Sequence, residues 1–293
     1  MNPQYAPIRE RLNSRYKGIA LVGLSTITWG SGGLFVRLLP YDPATVVFWR
    51  GLFASLFLGT FLLWYSGDKL ARTIRHIDRN DSVIVFCSAV GITLFPAAAQ
   101  QTAVANVYVI LGTLPLFAAA FAWLWIGERP SITTVLASGL ALLGIIVMIG
   151  PVGDLMLGDL LAVLATAAQA IMTVAIRRKP ETDVLSLAWI SIVLSVLFAL
   201  PLAQSLGELT PNEYMIAAGF GLLPMTFGMT LYMRGLTLIP AALAALIGTL
   251  EAPIGAFWAW VGVGEKPAVT TFVGGSIVMT SVIGHLLWSR LKV

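Results

Sequence analysis

Ala122-Trp-Leu-Trp-Ile-Gly-Glu-Arg-Pro130 and Ala259-Trp-Val-Gly-Val-Gly-Glu-Lys-Pro267 are two copies of one pattern, a hydrophobic helix end followed by Gly-Glu-basic-Pro. A glycine closes a helix in the left-handed conformation, and proline suits the first turn of the helix that follows. Each copy therefore predicts a tight hairpin between two antiparallel helices. The copies start 137 positions apart, about half of the 293-residue chain. Such spacing points to a tandem duplication, and the number of helices between the copies decides the architecture.

Composition identifies the solvent. Of all residues 58% are hydrophobic and only 11% charged, against about 25% charged in soluble domains. Mean hydropathy is +0.87. The charges gather in short gaps between apolar runs of roughly twenty residues, long enough to cross a bilayer. A pI near 9.4 follows from cytoplasmic loops that retain Lys and Arg, so it does not call for nucleic acid. The single cysteine, Cys87, lies in an apolar run and supports no disulfide framework. The first apolar run lacks a small-residue cleavage site and reads as an anchor rather than a signal peptide.

Ten spans are expected, at Gly18–Leu39, Pro43–Tyr65, Ser82–Gln101, Ala103–Ile126, Ile132–Gly150, Gly158–Ile176, Val184–Ala203, Glu213–Met233, Thr237–Val263 and Ala268–Trp288. A polar, basic segment, residues 1–17, precedes them. With the N-terminus inside, fifteen of the 18 Lys and Arg fall on the inner side, leaving Arg37, Arg50 and Lys266. That asymmetry assigns both termini to the cytoplasm.

Each half then holds five spans. An odd number makes the second half enter the membrane upside down, so the chain is expected to be an all-α integral membrane protein of ten transmembrane helices in two inverted five-helix repeats, residues 18–150 and 158–288. Two further matches support the duplication. Arg37-Leu-Leu-Pro40 corresponds to Arg177-Arg-Lys-Pro180, which also sets Trp29 opposite Gln169 and Thr26 opposite Thr166. Gly112-Thr113-Leu114 corresponds to Gly248-Thr249-Leu250.

Trp29-Gly30-Ser31 in the first span, Arg50 in the second and Gly-Glu-basic-Pro after the fourth and ninth resemble the drug/metabolite transporter superfamily, in its ten-helix EamA-type branch. Thr249-Leu250-Glu251-Ala252-Pro253 is similar to the LLEP stretch of the ninth helix there, with one extra residue before the proline. The resemblance covers nearly the whole chain. It implies an exporter of small metabolites in the bacterial inner membrane, with a central path between inverted halves. Among the branches it is closest in sense to the aromatic amino acid exporters.

The physics of inverted repeats leads to the same place. Such proteins exchange inward-open and outward-open shapes and hold substrate near the midplane, between the halves. Glu251 alone among the 14 acidic residues falls near the centre of a span, where a carboxylate costs about 2.5–3.5 kcal/mol on insertion scales. It reads either as a ligand for a substrate amine or a proton-coupling site, or as a neutral acid steadying the helix before Pro253. Trp29 reads as a wall for an apolar substrate or as a packing residue among Gly30, Ser31, Gly32 and Gly33. Gln169 reads as a substrate ligand or an interhelical hydrogen bond. Gln100, Gln101 and Tyr108, with Asn106, form a polar cluster suited to the outer vestibule. Tyr232 reads as an interfacial tyrosine or an inner gate, and Arg50 as a partner of Asp42 or an attractor of carboxylates. Ser276, Thr280 and Gly284 on the tenth span, and Ala118 and Ala122 on the fourth, show the small-residue spacing of close-packed helices.

The expected function is export of amino acids, with aromatic ones favoured, or similar amphipathic metabolites by alternating access. No cofactor or metal is called for, and no nucleotide-binding motif appears. A single chain in contact with lipid suffices. Enzymatic activity is not expected, since no Gly-x-Ser-x-Gly, His cluster or Cys cluster occurs. Other readings are transport of nucleotide sugars or drug-like solutes, which predicts several basic residues at depth, and a membrane receptor or enzyme.

Overall fold

The structure is a computed structural model and describes residues 8–101, 107, 110–149, 157–207, 209–264 and 267–290. Its helices are α1 (Ile8–Gly30), α2 (Gly32–Leu38), α3 (Pro43–Arg75), α4 (Arg79–Gln101), α5 (Leu114–Ile126), α6 (Ile132–Ile149), α7 (Leu157–Arg178), α8 (Val184–Ala199), α9 (Pro211–Phe220), α10 (Met229–Leu236), α11 (Ala241–Gly248), α12 (Glu251–Val263) and α13 (Val269–Arg290). A π-helical segment, Gly221–Gly228, joins α9 to α10. No strand occurs among the described residues. Eight stretches are long and apolar enough to cross a membrane, and Leu114–Ile126 and Ile132–Met148 are shorter apolar helices. Trp64 is 86% exposed and Leu124 77%, as lipid-facing side chains would be.

Several helices differ from the sequence expectation. Helix α1 begins at Ile8, inside the polar, basic segment that precedes the first expected span, and breaks at Ser31. The Thr28 hydroxyl bonds the Ser25 carbonyl at 2.7 Å and the Ser31 hydroxyl bonds the Thr28 carbonyl at 2.6 Å. Back-bonding of this kind, next to Gly30, Gly32 and Gly33, bends helices. Helix α3 runs on to Arg75, so most of the gap between the expected spans Pro43–Tyr65 and Ser82–Gln101 is helical. The eighth span contains Pro224, which cannot donate to its own helix. There the backbone widens to the π form, and the Thr226 hydroxyl bonds the Gly221 carbonyl five residues back at 2.9 Å.

Equivalent helices of the two halves meet in opposite senses. Gly144 of α6 touches Gly274 of α13 backbone to backbone, and the Ser281 hydroxyl donates to the Ala137 carbonyl at 2.6 Å. Partner numbers rise along one helix as they fall along the other, so these fifth helices of each half are antiparallel. Helices α3 and α8, the second of each half, behave alike: Gly51 packs on Val196 and Gly59 on Trp189. The remaining large contacts exchange as a two-fold requires. Helix α1 packs on α10 and the π-segment, and α4 packs on α7. The halves are inverted repeats in fact as well as in sequence.

One packing expectation is corrected. Ser276, Thr280 and Gly284 point outward, and the buried stripe of α13 is Gly274, Gly275, Val278, Ser281, Val282 and His285. Ala118 and Ala122 are buried as expected, at 0% and 2% exposed, against Ala170 and Ala245 and against Val174 and Ala241.

Candidate functional site

The ninth span is not continuous. Helix α11 stops at Gly248, Thr249 and Leu250 form a turn, and Glu251 opens α12. The Thr249 hydroxyl turns back to the Leu246 carbonyl at 2.7 Å. Glu251 is thus the first residue of a half-helix inside the membrane rather than a mid-helix residue. It is partly buried, and its carboxyl makes no hydrogen bond or ion pair with another described residue. A carboxylate at a helix N-terminus is favoured by the exposed N–H groups and the dipole.

Tyr232 of α10 joins this point to the first and sixth spans. Its ring lies 4.7 Å from that of Trp29, tilted by 42°, and its hydroxyl is 3.4 Å from that of Thr173 on α7. Glu251 is near enough to act on it electrostatically. Trp29 is itself partly exposed, and Gly228 leaves room for its indole: a Cβ there would stand 2.6 Å from Trp29 Cδ1. Thr173 sits one turn beyond Gln169, whose backbone carbonyl it bonds at 2.8 Å. The Gln169 side chain lies beside Gly91 of α4.

Trp29 and Thr173 therefore meet at Tyr232, with Gln169 one turn from Thr173 and Glu251 within electrostatic reach. Tyr232 is 1% exposed, which corrects the reading of it as an interfacial residue. Thr173 escaped the sequence reading, although its i+4 spacing from Gln169 on one helix face was a usable signal. Gln101 is exposed at the end of α4. Tyr108, Asn106 and the Gln100 side chain lie outside the described residues.

Arg50 does not pair with Asp42. Asp42 accepts from the Thr45 backbone at 2.9 Å and the Gln204 backbone at 3.4 Å, capping α3. Arg50 is 8% exposed, its Nη2 donates to the Ile92 carbonyl at 3.2 Å, and its guanidinium carbon lies 4.8 Å over the Phe220 ring.

Ion pairs join the halves at the end that the basic residues assign to the cytoplasm. Lys179 Nζ reaches Asp78 at 2.8 Å and Asp81 at 3.4 Å, and Arg177 Nε reaches Glu128 at 3.2 Å. The Lys179 ammonium holds Asp78 below the usual carboxylate range, and bonding to Asp78 raises Lys179 in turn. The Asp78 contribution is present above the ordinary carboxylate pKa and is lost as pH falls through its lowered value. The Lys179 contribution is present below the ordinary lysine pKa and fades as pH rises through its raised value. The contact therefore persists across neutral pH. Asn80 adds a hydrogen bond to the Ala175 carbonyl at 3.0 Å. Exposed pairs contribute about 0.2–1 kcal/mol each, so these bridges add little to the α4–α7 packing beside them. A groove of about 660 Å³ on the same face is lined by Asp78, Arg79, Asn80, Val83, Trp125, Arg178 and Lys179. At the other end, Tyr41 donates to Glu213 at 2.8 Å.

Known proteins share this design. A curated protein of Archaeoglobus fulgidus, described as an uncharacterized transporter, is 23% identical over 267 residues, which is 91% of this chain and 95% of that one. A solved crystal structure matches with a TM-score of 0.76 at 15% identity, over 97% of this chain and 99% of its own. That likeness speaks for the fold. The EamA-like transporter family matches residues 16–150 and again residues 156–287. With ten apolar helices, a two-fold exchange of contacts and two family matches end to end, the chain belongs to the EamA-like transporter family and is a multi-pass membrane transporter.

Proposed function

We propose that this transporter exports amino acids, aromatic ones among them, or similarly small amphipathic metabolites, and that it does so by alternating access in a bacterial inner membrane with both termini in the cytoplasm. The observation that carries the reading is Glu251, a carboxyl without a protein partner at a helix break, set beside the Trp29–Tyr232 pair. A carboxylate offers a counter-charge to an ammonium group, and the two rings offer an apolar wall. Gln169 and the hydroxyl of Thr173 add neutral hydrogen-bonding groups. The paired halves supply the motion, because inverted repeats interconvert by exchanging conformations about a midplane site.

The test is counterflow of labelled amino acids into liposomes holding only this protein. Saturable flux of an aromatic or aliphatic amino acid, competed by the unlabelled compound, is the expected result. Flux of a nucleotide sugar with no amino acid flux would overturn the substrate class. Proton coupling has its own readout: Glu251→Gln abolishes the pH dependence of transport, whereas an identical pH response in both proteins removes the coupling.

A further inference from the structure

We propose that Arg50 is the binding group for a substrate carboxylate. The inference rests on the amino acid reading above and extends it to a second site residue.

Pro96 lies inside α4 and has no N–H, so the Ile92 carbonyl four residues earlier loses its helical partner. One Nη2 donor of Arg50 fills that vacancy at 3.2 Å. The bond explains one of the five N–H groups of a guanidinium, and a neutral side chain would serve it equally well. It does not explain a charge. The positive charge meets the face of Phe220, and Nε is buried with no hydrogen-bond partner. Arg50 makes no ion pair with any described residue, since Asp42 is committed to its own helix cap. A buried cation without an anion costs several kcal/mol. A carboxylate, which the planar fork of arginine binds in two parallel hydrogen bonds, removes that cost.

The placement suits a ligand. Arg50 is seven residues past the start of α3 at Pro43, roughly 10 Å into the span at the helical rise. Its neighbours come from both halves: Ile92 from the first, and Phe220 and Gly221 from the second. A Cβ on Gly221 would lie 2.5 Å from the Arg50 carbonyl oxygen, so the arginine backbone lies against the first residue of the π-segment. Such segments mark functional sites more often than ordinary helix does. Glu251 and Arg50 are opposite charges within spans, each without a protein counter-ion among the described residues. A substrate carboxylate supplies the counter-charge that Arg50 lacks.

The probes are L-phenylalanine and its methyl ester, which share everything except the carboxylate charge, in counterflow with the full chain in liposomes. The wild type is expected to favour the acid by about tenfold or more, the scale of a lost charged hydrogen bond. Arg50→Gln is expected to remove that preference while ester flux persists. A second variant separates binding from local structure. Pro96→Ala returns a helical partner to the Ile92 carbonyl; if Arg50 only served that carbonyl, Arg50→Gln with Pro96→Ala regains acid flux, and the inference is overturned. Should Arg50→Gln fail to fold, Arg50→Lys is expected to keep a smaller preference for the acid, and an equal loss for acid and ester overturns the inference. Wild-type flux that is equal for acid and ester overturns it while leaving the transporter of amino acids standing. No flux of either compound sinks both.

Discussion

Helices α5 and α12 are one helix built twice, and they differ where it matters. Each has 13 residues. Thr113 stands directly before α5 and Thr249 two residues before Glu251 of α12, and the hydroxyl of each bonds the carbonyl three residues back, at Ile110 and at Leu246. Each ends on a left-handed glycine, Gly127 at φ 68° and Gly264 at φ 72°, the positive-φ residues of the described backbone. Their first residues are Leu114 and Glu251. The first spans of the halves repeat the lesson. Thr26 and Thr166 bond the carbonyl four residues back at 2.9 and 2.8 Å, yet α1 breaks beyond Trp29 while α7 runs unbroken past Gln169. Duplication preserved the frame and let the chemistry diverge.

That contrast can be broken in order of expected effect. The largest test addresses the moving halves. In a Cys87→Ala background, Asp78→Cys and Lys179→Cys joined through disulfides by a bis-methanethiosulfonate should abolish flux, and reduction should restore it. Full flux in the joined protein would mean that the halves do not separate there. Next comes the asymmetric residue. Glu251→Leu, which gives α12 the first residue that α5 has, should cut counterflow about tenfold or more without lowering the melting temperature in detergent. The reciprocal Leu114→Glu should instead destabilise by about 2.5–3.5 kcal/mol; equal behaviour of the two would erase the distinction between frame and site.

The smaller effects test the frame itself. Gly144→Val drives a side chain into α13, where even a Cβ would stand 2.8 Å from the Gly274 carbonyl oxygen. A loss of about 1–3 kcal/mol is expected from such overpacking, read as a lower melting temperature. Gly127→Ala and Gly264→Ala meet no neighbouring atom within 4 Å, so only backbone strain acts, and each should cost about 1–2 kcal/mol. The comparison predicts equal costs, and a clear difference in melting temperature between them would show that the hairpins are not equivalent.

Sequence alone determined the solvent, the ten spans, the duplication and the inversion. Apolar run length is set by bilayer thickness, and an odd count of crossings leaves a repeat no other orientation. The two hairpin glycines were legible for the same reason, since a left-handed residue leaves few alternatives to glycine. Tertiary structure decided the rest. Ser276, Thr280 and Gly284 have the right spacing for a packing stripe and still point outward, because spacing is common to every face of a helix and only the neighbour selects one. Tyr232 looked interfacial until α1 and α7 closed over it, and Arg50 lost Asp42 to a helix cap and gained a carbonyl that Pro96 had freed. Contacts between distant segments leave no local mark, so they emerge only when the helices are packed.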